Sequence, residues 1–317
     1  MLLDCFLIIF GFATLLFGGE LLLRGGIRTA RRLGIRPFII GLTLVAFGTS
    51  APELIVSIQA LLAGHADIVM GNAIGSNIAN ILLVIGLSAL IMPISGTSFG
   101  PRPQSSILLG FTFIFGCFSL GGTFVWYHGL VMMALLFAYL NWSFRREEAG
   151  AIERIDQSDN LGVLKKFSES SILPIILMVG GMALLLLGAH FLVDGSVSVA
   201  RKMGVSEAVI GLSVVAIGTS LPELATSLIA AFRGYMSVAV GNIVGSNIFN
   251  LFGVVGITSL IGVVPVAWEI IEIDLWVMGG ATIVFCGLML IGRAITRPMG
   301  AGLFMLYAVY IYHLWVR

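Results

Sequence analysis

Two copies of one polar motif interrupt long apolar stretches of this sequence. GTSAPE at residues 48–53 recurs as GTSLPE at residues 218–223, so each copy places two hydroxyls and a carboxylate beside a Gly and a Pro. Pro lacks an N–H and clashes with the preceding helical turn, so it leaves backbone carbonyls without their helical donors. We expect these carbonyls near Ala46, Thr49, Ala216 and Thr219. Oxygen ligands suit Na⁺ or Ca²⁺, and the absence of His and Cys near the motifs argues against Zn²⁺ and copper.

The carboxylates of the two motifs, Glu53 and Glu223, lie about halfway through apolar segments. An ionised carboxylate is costly to bury in lipid, so it must be neutralised by a cation, a proton or a basic partner. No Lys or Arg lies deep in any predicted span. We therefore expect these side chains to bind cations or protons. The alternative is a protonated Glu that makes a structural hydrogen bond.

A second repeated motif, GNxxGSNxxN, begins at residue 71 and again at residue 241. In each copy a Ser and an Asn stand four residues apart, so both side chains project from one face of a helix. These residues are Ser76 with Asn80, and Ser246 with Asn250. Together with the first motif they predict one site built from four helices. Ser and Asn in membrane helices also serve interhelical packing without a ligand, which is the alternative.

Four other Asn residues of this second motif are left out of the predicted site. Asn72 and Asn242 stand where their spans are expected to begin, so helix capping explains them at least as well as ion binding. Asn77 and Asn247 lie off the face shared by the Ser and Asn pairs. We expect these two to orient the broken helices through hydrogen bonds.

The elements that position these residues are predicted to be membrane helices. Hydrophobic residues make up 58% of the 317 positions, 10% are charged, and the mean hydropathy is +1.07, which leaves too little polar surface for a water-soluble globule. The apolar runs are continuous and long enough to cross about 30 Å of hydrocarbon, which predicts helices instead of a barrel. Ten spans are expected: 3–23, 37–63, 71–93, 104–121, 123–144, 172–194, 206–232, 241–265, 273–292 and 298–316.

The two motifs belong to a duplicated unit. GLTLVAFGTSAPELIVS at residues 41–57 matches GLSVVAIGTSLPELATS at residues 211–227, and the second motif repeats at the same offset of 170 residues. Each unit holds five spans, and an odd number inserts the second copy upside down, so the repeats are inverted. The predicted organisation is a first repeat at 1–144, a polar linker at 145–171 and a second repeat at 172–317.

Basic residues are concentrated in the segments that follow odd-numbered spans, and the positive-inside rule places these segments and the linker in the cytoplasm. Both termini then face outward, in a multi-pass protein of the cell (inner) membrane. Glu20 and His190 occupy equivalent positions near helix ends and are expected to be solvated and outside the site. Cys5, Cys117 and Cys286 show no paired spacing, which favours inert thiols.

The paired motifs GTSAPE and GTSLPE, each followed by GNxxGSNxxN, resemble those of the cation/Ca²⁺ exchanger superfamily, specifically the sodium/calcium exchangers of the compact prokaryotic type. Length, span number and central linker extend the resemblance over essentially the whole chain. It implies an all-α integral membrane fold of two inverted five-helix repeats, and antiport of Na⁺ for Ca²⁺ by alternating access. In that mechanism the first and sixth helices slide across a more rigid bundle. The Gly-rich runs at 17–19 and 187–189 fit such packing.

The resemblance also assigns ligands by position. It implies that Glu53 and Glu223 bind Ca²⁺, assisted by the backbone oxygens of Thr49 and Thr219. The Na⁺ sites beside them would use the carbonyls of Ala46 and Ala216, the hydroxyls of Ser50, Ser220, Ser76 and Ser246, and the amides of Asn80 and Asn250. Some family members carry Asp at one of the last two positions, whereas this chain has Asn at both. This difference removes one negative charge from the site.

Two other transport functions stay open at this point. An H⁺/Ca²⁺ exchanger would discharge the same carboxylates with protons, although the motif hydroxyls are natural Na⁺ ligands. A passive cation channel normally needs ligands around an open axis, whereas inverted repeats enclosing one site are typical of a transporter. The sequence holds no catalytic constellation, nucleotide loop or nucleic-acid surface, so we expect no enzyme activity, cofactor or nucleic-acid partner. The expected partners are Na⁺, Ca²⁺ and the lipid bilayer, and a monomer is expected to suffice.

Overall fold

The computed structural model of the chain describes residues 2–98, 102–147, 172–204 and 216–316. The described part is almost entirely helical, in agreement with the predicted all-α fold. The predicted linker lies outside the described residues from 148 to 171, and so do residues 206–215 of the predicted seventh span.

Ten helical segments occur within these described ranges, five in each half of the chain, as predicted. The first half contains α1 (Leu2–Leu33), α2 (Pro37–Leu62), α3 (Asp67–Ile91), α4 (Arg102–Ser119) and α5 (Trp126–Glu147). The second half contains α6 (Leu173–Lys202), α7 (Ala216–Thr219 with Leu221–Phe232), α8 (Met236–Ile261), α9 (Ile270–Ile291) and α10 (Arg297–Val316). Seven of them are long and apolar enough to cross a membrane by length and composition.

The order of the helices defines two faces of the molecule. The ends of α1 and α5 and the start of α6 lie on one face, which we name the linker face. Both ends of the described chain lie on the opposite face, which we name the terminal face. Short loop pairings agree with this assignment. β1 (Thr123–Phe124) pairs antiparallel with β2 (Val264–Pro265) on the terminal face, and Ile94 bridges to Ile295 on the linker face.

The first and sixth helices are longer than predicted. α1 and α6 have 32 and 30 residues, whereas the sequence predicted spans 3–23 and 172–194. The α1 helix continues after residue 23 in spite of Gly25 and Gly26, because Arg and Ala are good helix formers and no Pro interrupts the segment. The two helices therefore extend beyond the predicted spans, because apolar length measures the membrane crossing and not the full helix.

α1 and α6 run antiparallel and meet along a seam of glycines. A Cβ placed on Gly18 would lie 2.7 Å from the backbone N of Leu185 and 2.8 Å from the carbonyl oxygen of Gly181, so no larger residue fits there. The same close approach recurs one heptad earlier, where Gly11 faces the backbone of Leu192. The seam glycines of one copy match those of the other at the offset of 170: Gly11, Gly18 and Gly25 correspond to Gly181, Gly188 and Gly195.

The centre of the molecule is formed by α2, α3, α7 and α8. A Cβ on Gly245 of α8 would lie 2.7 Å from the Cβ of Ala46 on α2, so these two helices touch at the level of the first motif. In an apolar 18-residue stretch of α8, 89% of the residues are buried inside the protein, whereas the corresponding share for α6 is 22%. The long pair α1 and α6 therefore lies at the periphery of a more enclosed four-helix centre that carries both motifs.

Candidate cation-binding site

Both motif helices break at the same serine of the repeat. Ser50 in α2 has φ −89° and ψ 6°, and Ser220 in α7 has φ −85° and ψ 2°, which are not helical values. The second half of each helix restarts at the next residue with Pro52 or Pro222 in its first turn, where a missing N–H costs nothing. The predicted interruption of both helices by Gly and Pro is therefore confirmed.

The freed carbonyls differ in part from the prediction. The Ser50 N–H still donates to the Ala46 carbonyl at 2.9 Å, so the expected freeing of Ala46 is wrong for this structure. Because Pro52 has no N–H, the carbonyl four residues before it, on Gly48, is the one that loses its helical donor. A hydrogen-bonded carbonyl keeps a second lone pair, so the role of Ala46 as an ion ligand stays a prediction.

The break in the second copy has a different hydrogen bond. The Ser220 N–H donates to the carbonyl of Ile217 at 3.1 Å, three residues back, instead of to Ala216 four residues back. The last turn before this break is therefore tighter than its counterpart in α2. Beyond its place at the start of this short helix, the surroundings of the Ala216 side chain lie outside the described residues.

Both motif carboxylates are buried, with each residue 0% exposed, and a serine of the first motif reaches the carboxylate of the second. Glu223 Oε1 accepts hydrogen bonds from Ser50 Oγ at 2.8 Å and from Ser246 Oγ at 3.4 Å. Glu223 Oε2 and both carboxylate oxygens of Glu53 have no hydrogen-bond partner in the described part of the chain. Three of four buried acceptor oxygens are therefore available to a cation.

Two of the remaining hydroxyls predicted for the site, those of Thr49 and Ser76, lie next to this carboxylate pair. Thr49 Oγ1 lies 3.4 Å from Ser246 Oγ, which joins the first motif of one copy to the second motif of the other. Ser76 lies beside the Glu53 carboxylate. The Ser220 hydroxyl is buried and has no hydrogen-bond partner among the described residues. Thr219, the counterpart of Thr49, is partly buried, whereas Ser220 is buried.

The predicted amides lie at the start of two equivalent π-helical turns. These turns span Asn80–Ile85 in α3 and Phe249–Val254 in α8, and such turns are frequent at functional sites. Asn80 Nδ2 donates to Asn247 Oδ1 at 3.0 Å, so α3 and α8 are joined by an amide pair. Within the described structure, Asn80 Oδ1 and both polar atoms of the Asn250 side chain are buried without a partner.

Two functional residues were missed by the sequence prediction. Asn72 and Asn242 were left out of the site because helix capping explained them at least as well as ion binding, but both lie inside helices, in Asp67–Ala79 and Met236–Ile248. Asn72 Nδ2 donates to the Glu53 carbonyl and to Ser57 Oγ, both at 2.9 Å. Asn242 Nδ2 donates to Ser227 Oγ at 3.2 Å.

These amides brace the helix halves that carry the carboxylates. The signal was present in the sequence, since Ser57 and Ser227 repeat at the same offset as Asn72 and Asn242. The hydroxyl and the amide lie 15 residues apart in both copies, and that constant separation is what a contact between two neighbouring helices preserves.

The chemistry around the site is that of oxygen ligands. Among the described residues no group of three or more His, Cys, Asp or Glu side chains could hold a metal ion. Cys5, Cys117 and Cys286 are free thiols, which agrees with their unpaired spacing. Glu20 and His190 make ion pairs elsewhere and are not brought to the site, as predicted. His190 is exposed as expected, but the Glu20 side chain is only 17% exposed, so the expectation that it is solvated is wrong.

Two inverted copies of a broken helix that enclose one buried acidic site define a secondary transporter. The family model described as sodium/calcium exchanger protein matches residues 4–145 and 173–316. The chain therefore belongs to the sodium/calcium exchanger family.

Relatives extend this result over nearly the whole chain. The sodium/calcium exchanger MaX1 of Methanosarcina acetivorans is 29% identical, over 96% of each chain. Inner membrane protein YrbG of Escherichia coli is 35% identical, over 82% of this chain and 81% of its own. A solved structure of the sodium-calcium exchanger NCX_Mj has a TM-score of 0.84 at 30% identity and covers 98% of both chains. The predicted fold of two inverted five-helix repeats is confirmed.

Proposed function

We propose that the chain exchanges Na⁺ for Ca²⁺ across the membrane by alternating access. One observation carries the proposal: Glu53 and Glu223 are fully buried, and three of their four carboxylate oxygens have no hydrogen-bond partner in the described structure. The ion pairs among the described residues join other side chains. Because unpaired buried carboxylates are costly, the pair favours bound cations with a total charge of +2.

The proposed Ca²⁺ ligands are the carboxylates of Glu53 and Glu223 with backbone oxygens of Thr49 and Thr219. Na⁺ would bind beside this position, at the oxygens of Ala46, Ala216, Ser50, Ser220, Ser76, Ser246, Asn80 and Asn250. All of these are hard oxygen donors, which suit both ions and provide no soft ligand. Two relatives support the choice of ions, since MaX1 is named a sodium/calcium exchanger and the NCX_Mj crystals were soaked with Na⁺ and Sr²⁺.

Obligatory exchange follows from the charge of the site. One Ca²⁺ or a set of Na⁺ ions balances the two carboxylates, whereas the unloaded site carries two charges that are too costly to enclose in the membrane. The transporter therefore changes face only when it is loaded. The peripheral pair α1 and α6 is the part proposed to move across the four-helix centre, because its glycine seam keeps the two helices together as one unit.

The orientation and organisation proposed from the sequence are retained. The linker face would be cytoplasmic because the basic residues concentrate there, which places both termini outside the inner membrane. The repeats would occupy 1–144 and 172–317, joined by the linker at 145–171. One chain supplies both carboxylates, so a monomer suffices. The site needs no cofactor and no catalytic group, and the protein is proposed to be a transporter without enzyme activity.

The test is uptake of radiolabelled Ca²⁺ into proteoliposomes that are loaded with Na⁺ and diluted into Na⁺-free buffer. Vesicles loaded with K⁺ and vesicles with an imposed pH gradient are measured in parallel. Uptake driven by internal Na⁺ alone supports the proposal. Uptake driven only by the pH gradient would identify H⁺ instead of Na⁺ as the coupling ion. Uptake without any opposing gradient would indicate a channel. Either of these two results contradicts Na⁺/Ca²⁺ antiport.

A further inference from the structure

A three-residue ion network joins the moving pair to the centre on the linker face. Glu20 of α1 accepts two hydrogen bonds from Arg233, which directly follows α7: Nη2 to Oε1 at 2.7 Å and Nε to Oε2 at 3.2 Å. This forked geometry is the strong form of an Arg–carboxylate pair. Arg24, one helical turn along α1, also pairs with Glu20. The Glu20 side chain is only 17% exposed.

The network lies where α1 covers the second half of α7. A Cβ on Gly19, the neighbour of Glu20, would lie 2.7 Å from Ile229 Cδ1. Ile229 lies on the same helix half as Glu223, and ten residues of helix separate Glu223 from Arg233, or about 15 Å. α1 therefore packs against the half of α7 that runs from the buried carboxylates to the linker face. The ion network lies at the linker-face end of this contact.

The equivalent place in the other copy is open. At the offset of 170, Glu20, Arg24 and Arg233 correspond to His190, Asp194 and Ala63. His190 Nε2 lies 3.3 Å from Asp194 Oδ2, but the two side chains are 64% and 55% exposed, and their pair stays within α6. Gln59, the counterpart of Ile229, is exposed. On the terminal face α6 therefore does not cover the second half of α2.

We propose that the Glu20–Arg233 ion pair is a latch that holds α1 against α7 and stabilises the state closed to the linker face. The inference rests on the alternating-access function proposed above. When α1 and α6 move to close the terminal face, inverted symmetry brings His190 towards Ala63, which has no charge to offer. The two closed states therefore differ by one ion pair, and the protein favours the state that is closed on the linker face.

The size of this bias follows from the exposure of the pair. Exposed ion pairs contribute little, whereas forked Arg–carboxylate pairs contribute more, and this pair is intermediate because Glu20 is 17% exposed and Arg233 51% exposed. We expect loss of the latch to raise the population open to the linker face by roughly two- to tenfold. Arg233 acts through Glu20, so in the Glu20→Gln background the Arg233→Gln substitution should have no further effect.

Cysteine labelling of purified protein in detergent tests the latch. Cys5, Cys117 and Cys286 are first replaced by Ser, and a single cysteine is introduced as Ile229→Cys or, at the matched position of the other copy, Gln59→Cys. In the Arg233→Gln and Glu20→Gln backgrounds, a hydrophilic maleimide should label position 229 two- to tenfold faster and position 59 more slowly. Asp194→Asn is the control, because it removes a charge from a pair that bridges no helices.

The outcomes separate the latch from the transport function. Unchanged labelling rates at both positions in the Arg233→Gln protein would overturn the latch, and so would equal changes in the Asp194→Asn control. Faster labelling at both positions would indicate general loosening and would also overturn it. Labelling requires no transport, so Na⁺-driven Ca²⁺ uptake by the unsubstituted protein decides the proposed function independently of this result.

Discussion

The two copies of the motif have nearly the same sequence and different surroundings. Glu223 in the second copy accepts hydrogen bonds from Ser50 and Ser246, whereas Glu53 in the first copy accepts none from the described residues. The helix halves that carry them also differ. Ile55 of α2 is 48% exposed, and its counterpart Ala225 of α7 is 8% exposed. One copy is therefore enclosed by its neighbours, and the other borders an open face.

This difference cannot come from the motifs, because their chemical groups are the same. It comes from the positions of α1 and α6. α1 covers the second half of α7, whereas α6 does not cover the second half of α2. Inverted copies exchange such surroundings when the opposite face opens. In the state open to the linker face, we therefore expect Ser220 to donate to Glu53, as Ser50 donates to Glu223 in this structure.

The largest effect is expected where the two copies must act as equals. Glu53→Gln and Glu223→Gln should each lower Na⁺-driven Ca²⁺ uptake by at least about 100-fold, because a single carboxylate leaves Ca²⁺ with an unbalanced buried charge. Glu272→Gln removes the same charge from an exposed position and should transport normally. Uptake by either motif variant at the rate of the Glu272→Gln protein would contradict the site.

The glycine seam is the region in which the copies are truly alike. Gly18→Val and its counterpart Gly188→Val should each lower the melting temperature by about 5 °C or more, because a Cβ meets backbone at both positions and the helices must separate. Gly180→Val on α6 is the control, since nothing lies within 4 Å of its Cβ position. Thermal unfolding in detergent measures all three, and equal melting temperatures would show that the seam does not hold the pair together.

The serines at the two breaks distinguish the copies most directly. Ser50→Ala should raise the half-saturating Na⁺ concentration about tenfold, because its hydroxyl contacts Glu223 and a hydrogen bond to a charged group is worth about 1.5–3 kcal/mol. Ser220→Ala should raise it by only about twofold, because its hydroxyl contacts no carboxylate in this state. Na⁺ titration of the purified proteins compares them. Equal shifts of the half-saturating Na⁺ concentration in the two variants would contradict the proposed difference between the copies.

The smallest effect is expected at the bracing amides. Asn72→Ala should lower uptake about threefold, because it loses two hydrogen bonds that position the backbone around Glu53 without touching the proposed ions. Asn242→Ala also loses two hydrogen bonds, the one it donates to Ser227 and the one it accepts from Thr49, and should lower uptake by a similar factor. Initial rates of Na⁺-driven uptake measure both, with wild-type protein in the same preparation. A loss as large as that of Glu53→Gln would place these amides among the ion ligands.

The sequence was sufficient to predict the ten helices and the inverted repeats. Length, hydropathy and an exact offset of 170 residues are properties of the chain itself. The grouping of Ser50, Ser246 and the two glutamates was also predictable, since polar groups in lipid must find one another. The family match agrees with the resemblance carried by the repeated motifs.

Features set by contacts between helices were not predictable from one sequence. Asn72 was taken for a helix cap because its partner Ser57 lies on another helix, and the true start of α3 at Asp67 depends on the turn before it. The Ala46 carbonyl was expected to be free, but the backbone kept its bond to Ser50 at the break. Which face is closed depends on where α1 rests, and no pattern within a single segment encodes that position.

The central claim is that Ca²⁺ and Na⁺ compete for the two buried carboxylates. Calorimetric titration of Ca²⁺ into purified protein, at increasing Na⁺ with N-methyl-D-glucamine keeping the ionic strength constant, tests it directly. We predict that Na⁺ weakens Ca²⁺ binding progressively and that the Glu53→Gln/Glu223→Gln protein binds no Ca²⁺. Ca²⁺ binding that is indifferent to Na⁺, or that persists in the double variant, would contradict the account.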